Sequence, residues 1–200
     1  MMHRLAWLAR LPMIISLITA LLMLPACSGG PAEKPRPELV TAPEALLQRG
    51  LKHFRDNDLV EANRNFQQAL RLYRSIDDPD GIMRSCLNLA KLNTAVNNDE
   101  RATSYLDRAA QTASANGLPG YDQHIAILRS TLLIRQGQTT TAADMLADAL
   151  QSSDSTTRLA ALKNRTVIAF TESSTDRTQW LQRYRNENDA AGNRPSHRAR

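Results

Sequence analysis

The stretch Gly50-Leu-Lys-His-Phe-Arg-Asp-Asn-Asp-Leu-Val-Glu-Ala62-Asn-Arg-Asn-Phe66-Gln-Gln-Ala69-Leu70 decides how the chain folds. A small residue is followed by a polar break, and then alanine, aromatic and alanine fall at positions 62, 66 and 69, one face of a helix. The same order returns at an interval of forty residues. Ala62, Ala102 and Ala142 form one column, Ala69, Ala109 and Ala149 a second, Phe66, Leu106 and Leu146 a third, and Gly50, Ala90 and Ser130 a fourth. Two helices approach to ~8 Å only where side chains are small, while a large apolar residue fills the adjoining groove. Repetition of one such crossing predicts a stack of antiparallel helix pairs.

Polar breaks separate the helices within each cycle: Asp56-Asn57-Asp58, Asn97-Asn98 and Gln136-Gly137-Gln138, residue types that tolerate a left-handed turn. Between cycles stand Asp77-Asp78-Pro79-Asp80-Gly81 and Asn116-Gly117-Leu118-Pro119-Gly120, where glycine is expected to end one helix and proline to prevent its continuation. The predicted pairs are 44–56 with 59–74, 81–96 with 99–115, and 121–136 with 139–151. Amphipathic stretches at about 156–170 and 175–187 follow. They fit the columns poorly, since the position forty beyond Ala142 is Gln182, and are expected to cap the stack. Residues 188–200, with Gly192, Pro195 and scattered arginine, are expected to form a disordered basic tail.

On these columns the chain resembles the tetratricopeptide repeat family, in its variant with about forty residues per repeat. The resemblance covers about residues 44–151 and is closest in the segment quoted above. It implies an all-α, right-handed solenoid of three antiparallel helix pairs closed by a capping pair at 156–187. It also implies that the first helix of each pair lines a concave face suited to a peptide or a partner helix.

The N-terminus carries Arg4 and Arg10, an apolar run from Leu11 to Leu24, and then Pro25-Ala26-Cys27. This is the order of a signal peptide over residues 1–26, and its apolar run is shorter than the ~20 residues a spanning helix needs. Leu24, Pro25 and Ala26 before Cys27 resemble the lipobox of bacterial lipoproteins, which implies lipidation of Cys27. Residues 27–43, with Pro31, Pro35, Pro37 and Pro43, read as a flexible tether, and Thr41 with Glu44 as a capping box for the first helix. By resemblance to Gram-negative lipoproteins, Ser28 after the cysteine implies the outer membrane, facing the periplasm.

The 200 residues are 42% hydrophobic and only 4% aromatic, which disfavours a β-sandwich or barrel. The formal charge of +5 becomes +3 once the two signal arginines leave, 23 basic residues against 20 acidic, too mild to imply nucleic acid. With Cys27 acylated, Cys86 is the remaining cysteine; its apolar neighbours at helical spacing mark it as a buried hydrophobe rather than a reactive thiol.

No catalytic, cofactor or metal motif is present: there is no Gly-x-Ser-x-Gly, no phosphate loop and no Cys-x-x-Cys, and His53 and His124 fall in different repeats. Arg84, Asn88 and Lys91 lie at i, i+4 and i+7, a row that can hold a partner's carboxylate or main chain. In peptide-binding members of the family a basic residue followed four later by asparagine commonly faces the groove, and Arg84 with Asn88 resembles that pair. Glu44 with Gln48 and His124 with Leu128 do not complete a carboxylate clamp. Leu47, Leu51, Phe54, Ile127 and Ile134, with Thr131 beside them, are expected to make the groove apolar.

The expected function is a lipid-anchored scaffold or assembly factor that binds another envelope protein or peptide, with no small-molecule substrate. Tetratricopeptide lipoproteins include assembly factors for outer-membrane proteins and pilotins for type IV pili. Two alternatives stay open. One is a small helical enzyme, or its accessory subunit, acting on cell-wall material, for which a carboxylate pair or a closed pocket would speak. The other is peripheral membrane binding through the arginine tail.

Overall fold

A computed structural model describes residues 37–192. All regular structure among them is helical, and successive helices pack in adjacent pairs. The helices are α1 (Pro37–Arg55), α2 (Leu59–Ser75), α3 (Pro79–Ala95), α4 (Asp99–Asn116), α5 (Asp122–Arg135), α6 (Thr139–Met145), α7 (Ala147–Leu150), α8 (Ser155–Thr171) and α9 (Arg177–Ala190), with a 3₁₀ turn at Pro119–Tyr121. Residues 1–36 and 193–200, including Cys27, the signal peptide and most of the basic tail, lie outside the described residues. No helix among the described residues is long and apolar enough to cross a membrane.

The helix boundaries come from two-residue junctions. Asn57, Asp77, Asn97, Gly117 and Gly137 all take positive φ, at intervals of twenty residues, so the forty-residue unit is two helix-and-turn halves. The next residue's amide closes the preceding helix: Asp58 N donates to His53 O at 2.8 Å, Asp78 N to Tyr73 O at 3.0 Å, and Asn98 N to Asn93 O at 2.8 Å. That residue's side chain then opens the following helix. Asp58 accepts from Glu61 N, Asp78 from Gly81 N and Asn98 from Arg101 N. Asparagine and aspartate can do both tasks because their short polar side chains lessen the left-handed penalty and also cap.

Several boundaries depart from expectation. Helix α1 begins at Pro37, not near residue 44, so the second part of the expected tether is helical. Pro43 cannot donate a helical hydrogen bond, but its ring is fully buried, and that burial offsets the loss. Position 41 therefore lies inside α1 rather than at its start, and Glu44 bonds to Tyr73. Gly81 does not end a helix either: it sits in the first turn of α3, where a Cβ would fall 2.0 Å from the Tyr73 ring. The second helix of the third pair is split at Leu146, whose N–H turns to Ala143 O at 3.1 Å. Its start, three consecutive threonines without a side-chain cap, has weak helix propensity. At the end, α9 runs to Ala190, taking in three residues expected in the tail.

The column residues are inside. All six column alanines, together with Leu106 and Leu146, have no exposed surface, and Phe66 has 1%. The fourth column is buried as well, at Gly50, Ala90 and Ser130. Helix α1 packs on α2, α2 on α3, α3 on α4, α4 on α5 and α8 on α9. The first helices also meet one another, α1 with α3, α3 with α5 and α5 with α8. No residue of α9 is buried, so it presents a polar outer face beyond α8.

Cys86 is fully buried within the first core cluster, and burial pushes its thiol up to about 11. Thiolate is the reactive form, so a thiol reagent at pH 8 is expected to modify Cys86 at least ~100-fold more slowly in the folded chain than in denaturant. A Cys27→Ser background isolates the signal; equal rates would show that Cys86 is not in the core.

Candidate functional site

Because the first helices adjoin one another, their free faces form one groove of about 640 Å³. Helix α1 contributes Leu47, Gln48 and Leu51, and α3 contributes Arg84, Leu87, Asn88 and Lys91. Tyr121, His124, Ile127 and Leu128 come from the 3₁₀ turn and α5, and Thr156, Thr157, Ala160, Lys163 and Asn164 from α8. The leucines and isoleucine make an apolar floor, and no aspartate or glutamate is among the lining residues.

Of the expected groove residues, Leu47, Leu51, Arg84, Asn88, Lys91 and Ile127 line it. Phe54, Thr131 and Ile134 do not. The ring of Phe54 packs against the first core cluster and lies 5.4 Å beneath Lys91 Nζ. Thr131 is turned to its own helix and to α8, donating to Ile127 O at 3.1 Å and accepting from Asn164 Nδ2 at 2.9 Å. Ile134 packs on the second core cluster.

Arg84 is not the open cation that its spacing suggested. Its Nη1 donates to Glu44 Oε2 at 2.7 Å, its Nε pairs with Asp80 at 2.8 Å, and its guanidinium lies 5.6 Å over the Tyr73 ring. Tyr73 donates its hydroxyl to the same Glu44 oxygen at 2.8 Å, and Tyr121 donates to Asp80. Hydrogen bonds from Gln48, Tyr73 and Arg84 hold the Glu44 carboxyl below its usual value against the effect of burial. Burial and the bond to Glu44 raise Tyr73 to about 12. Burial opposes the charge on Arg84, but Glu44, Tyr73 and Asp80 outweigh it and raise its pKa further. Asn88 Nδ2 turns back to Arg84 O at 2.9 Å. The expected basic–asparagine pair is thus part of a knot joining α1, α2 and α3, in which one guanidinium is set against two carboxylates. Its strength comes from shared geometry, since exposed ion pairs alone contribute at most ~1 kcal/mol.

The contribution of α8 was missed. Asn164 Nδ2 donates to Ile127 O at 3.0 Å and lies 2.9 Å from both Ser130 Oγ and Thr131 Oγ1, which docks α8 onto α5. The signal was in the first-helix columns: Gln48, Asn88 and Leu128 continue to Asn164, and Gly50, Ala90 and Ser130 to Thr166, if the last step is thirty-six residues. Omission of four residues removes about one helical turn and keeps the face.

Among the described residues no three histidine, cysteine, aspartate or glutamate side chains converge as a metal site. No protein-family model matches the chain, and neither the curated proteins nor the solved structures compared with it give a match.

Proposed function

We propose that the chain is a tetratricopeptide-like interaction module of the cell envelope, a right-handed solenoid of three repeats closed by α8 and α9. It binds a segment of another envelope protein in the groove across α1, α3, α5 and α8, and it is anchored by lipid on Cys27, at the outer membrane facing the periplasm. Its action is binding alone. The observation that carries this reading is the groove itself, an open apolar channel built from the first helix of every pair, cationic at its edges and without a carboxylate on its walls. The anchor rests on the lipobox residues Leu24 to Cys27.

A photo-cross-linking side chain in place of Leu87, on the groove floor, is expected to give a discrete adduct in intact cells. The same group in place of Ser104, exposed on α4, is expected to give none, and Leu128→Asp to abolish the Leu87 adduct. Equal labelling from both positions would refute a groove partner. Cys27→Ala is expected to release the chain from the membrane fraction; continued fractionation with membranes would refute the anchor alone.

A further inference from the structure

The groove's cations divide into two kinds. Arg84 is neutralised by Glu44 and Asp80, and those two carboxylates are committed to it. Lys91 and Lys163 are exposed and enter no ion pair among the described residues. They approach the apolar floor from different helices, α3 and α8. The wall between them carries no opposing charge, so their potentials add over the channel, and a low-dielectric floor sharpens the field there.

We propose that the groove's occupant is a polypeptide segment carrying aspartate or glutamate among apolar side chains, its carboxylates meeting Lys91 and Lys163 and its apolar groups the leucine floor. This rests on the groove reading above and adds the partner's chemistry to it. Four first helices at ~9 Å spacings span ~27 Å, which about eight residues of extended chain cover at ~3.3 Å each. Side chains of such a segment reach into the concavity. A flat anionic membrane surface would touch the lysines but leave the floor of Leu47, Leu87 and Leu128 uncovered, which argues for a polypeptide over lipid headgroups.

The test uses the full chain and fluorescein-labelled twelve-residue peptides with leucine at fixed positions, the intervening positions being mostly glutamate, glutamine or lysine. Fluorescence anisotropy is expected to show the glutamate set binding roughly tenfold tighter than the glutamine set at low ionic strength, with the gap closing as salt is added. In Lys91→Glu/Lys163→Glu the order should reverse in favour of the lysine set; both positions are exposed, so the variant keeps its core. Indifference between glutamate and glutamine peptides, or an unchanged preference in the double variant, overturns the acidic partner. Lysine-dependent binding to phosphatidylglycerol vesicles without peptide binding overturns it in favour of lipid. A Leu87 adduct that persists through those failures leaves the groove reading standing, whereas loss of both ends both.

Discussion

Ala102→Arg is expected to cost about 3–5 kcal/mol of folding stability, the penalty of a buried charge without a partner. Ala102 has no exposed surface and packs with Ala90, Leu106 and Leu132, where α3, α4 and α5 meet. Those neighbours offer no carboxylate, and a guanidinium can reach water only by prising α4 from α3. In a domain of about this size such a loss lowers the melting temperature by roughly 10–20 °C, readable by circular dichroism at 222 nm. Thr103→Arg, one residue along on an exposed position, is the matched control and should melt as the parent does. If both variants melt alike, the alanine columns are not the helix crossings.

The second large effect runs against helix propensity. Glycine inside a helix normally costs up to ~1 kcal/mol relative to alanine, so Gly50→Ala would stabilise an ordinary helix. Here the added Cβ would stand 2.5 Å from Phe66 Cε1 and 2.6 Å from Cδ1. Phe66 is enclosed and cannot step aside, so overpacking of about 1–3 kcal/mol should outweigh the propensity gain. The second cycle shows the remedy, for there alanine at position 90 is matched by leucine at 106. Phe66→Leu alone should destabilise through the void it leaves, yet in the Gly50→Ala background it should restore stability, a coupling that denaturant titration of the four chains measures. Stabilisation by Gly50→Ala alone would mean that α1 and α2 do not cross at Gly50 and Phe66.

The fold was legible because its signals are local or periodic. Each junction carries its own chemistry in two adjacent residues, so Asn57-Asp58 and Asn97-Asn98 marked helix ends without knowledge of any neighbour. The burial of Ala62, Ala102 and Ala142 followed from their equal spacing, since one crossing repeated must bury the same position each time. Reading failed where a local rule met a packing contact. Four prolines suggested a tether to residue 43, but α1 starts at Pro37 and buries Pro43. Gly81 looked like a helix terminator, but its lack of a side chain makes room for Tyr73.

The groove divides the same way. That the first helices supply Leu47, Asn88, Lys91 and Ile127 was visible from spacing, because helical periodicity assigns residues to a face. Spacing could offer Arg84 a partner in Asp80, four residues earlier on the same helix, but not in Glu44, forty residues away, nor could it say that α8 completes the channel after a register break of one turn. By itself, then, the sequence determined where the polar junctions between helices fall and which faces the repeated helices bury, because those depend on nearest neighbours and on period. Only the tertiary structure decided which polar groups remain free to meet a ligand, because a charge is open or committed according to what distant segments bring within hydrogen-bonding reach.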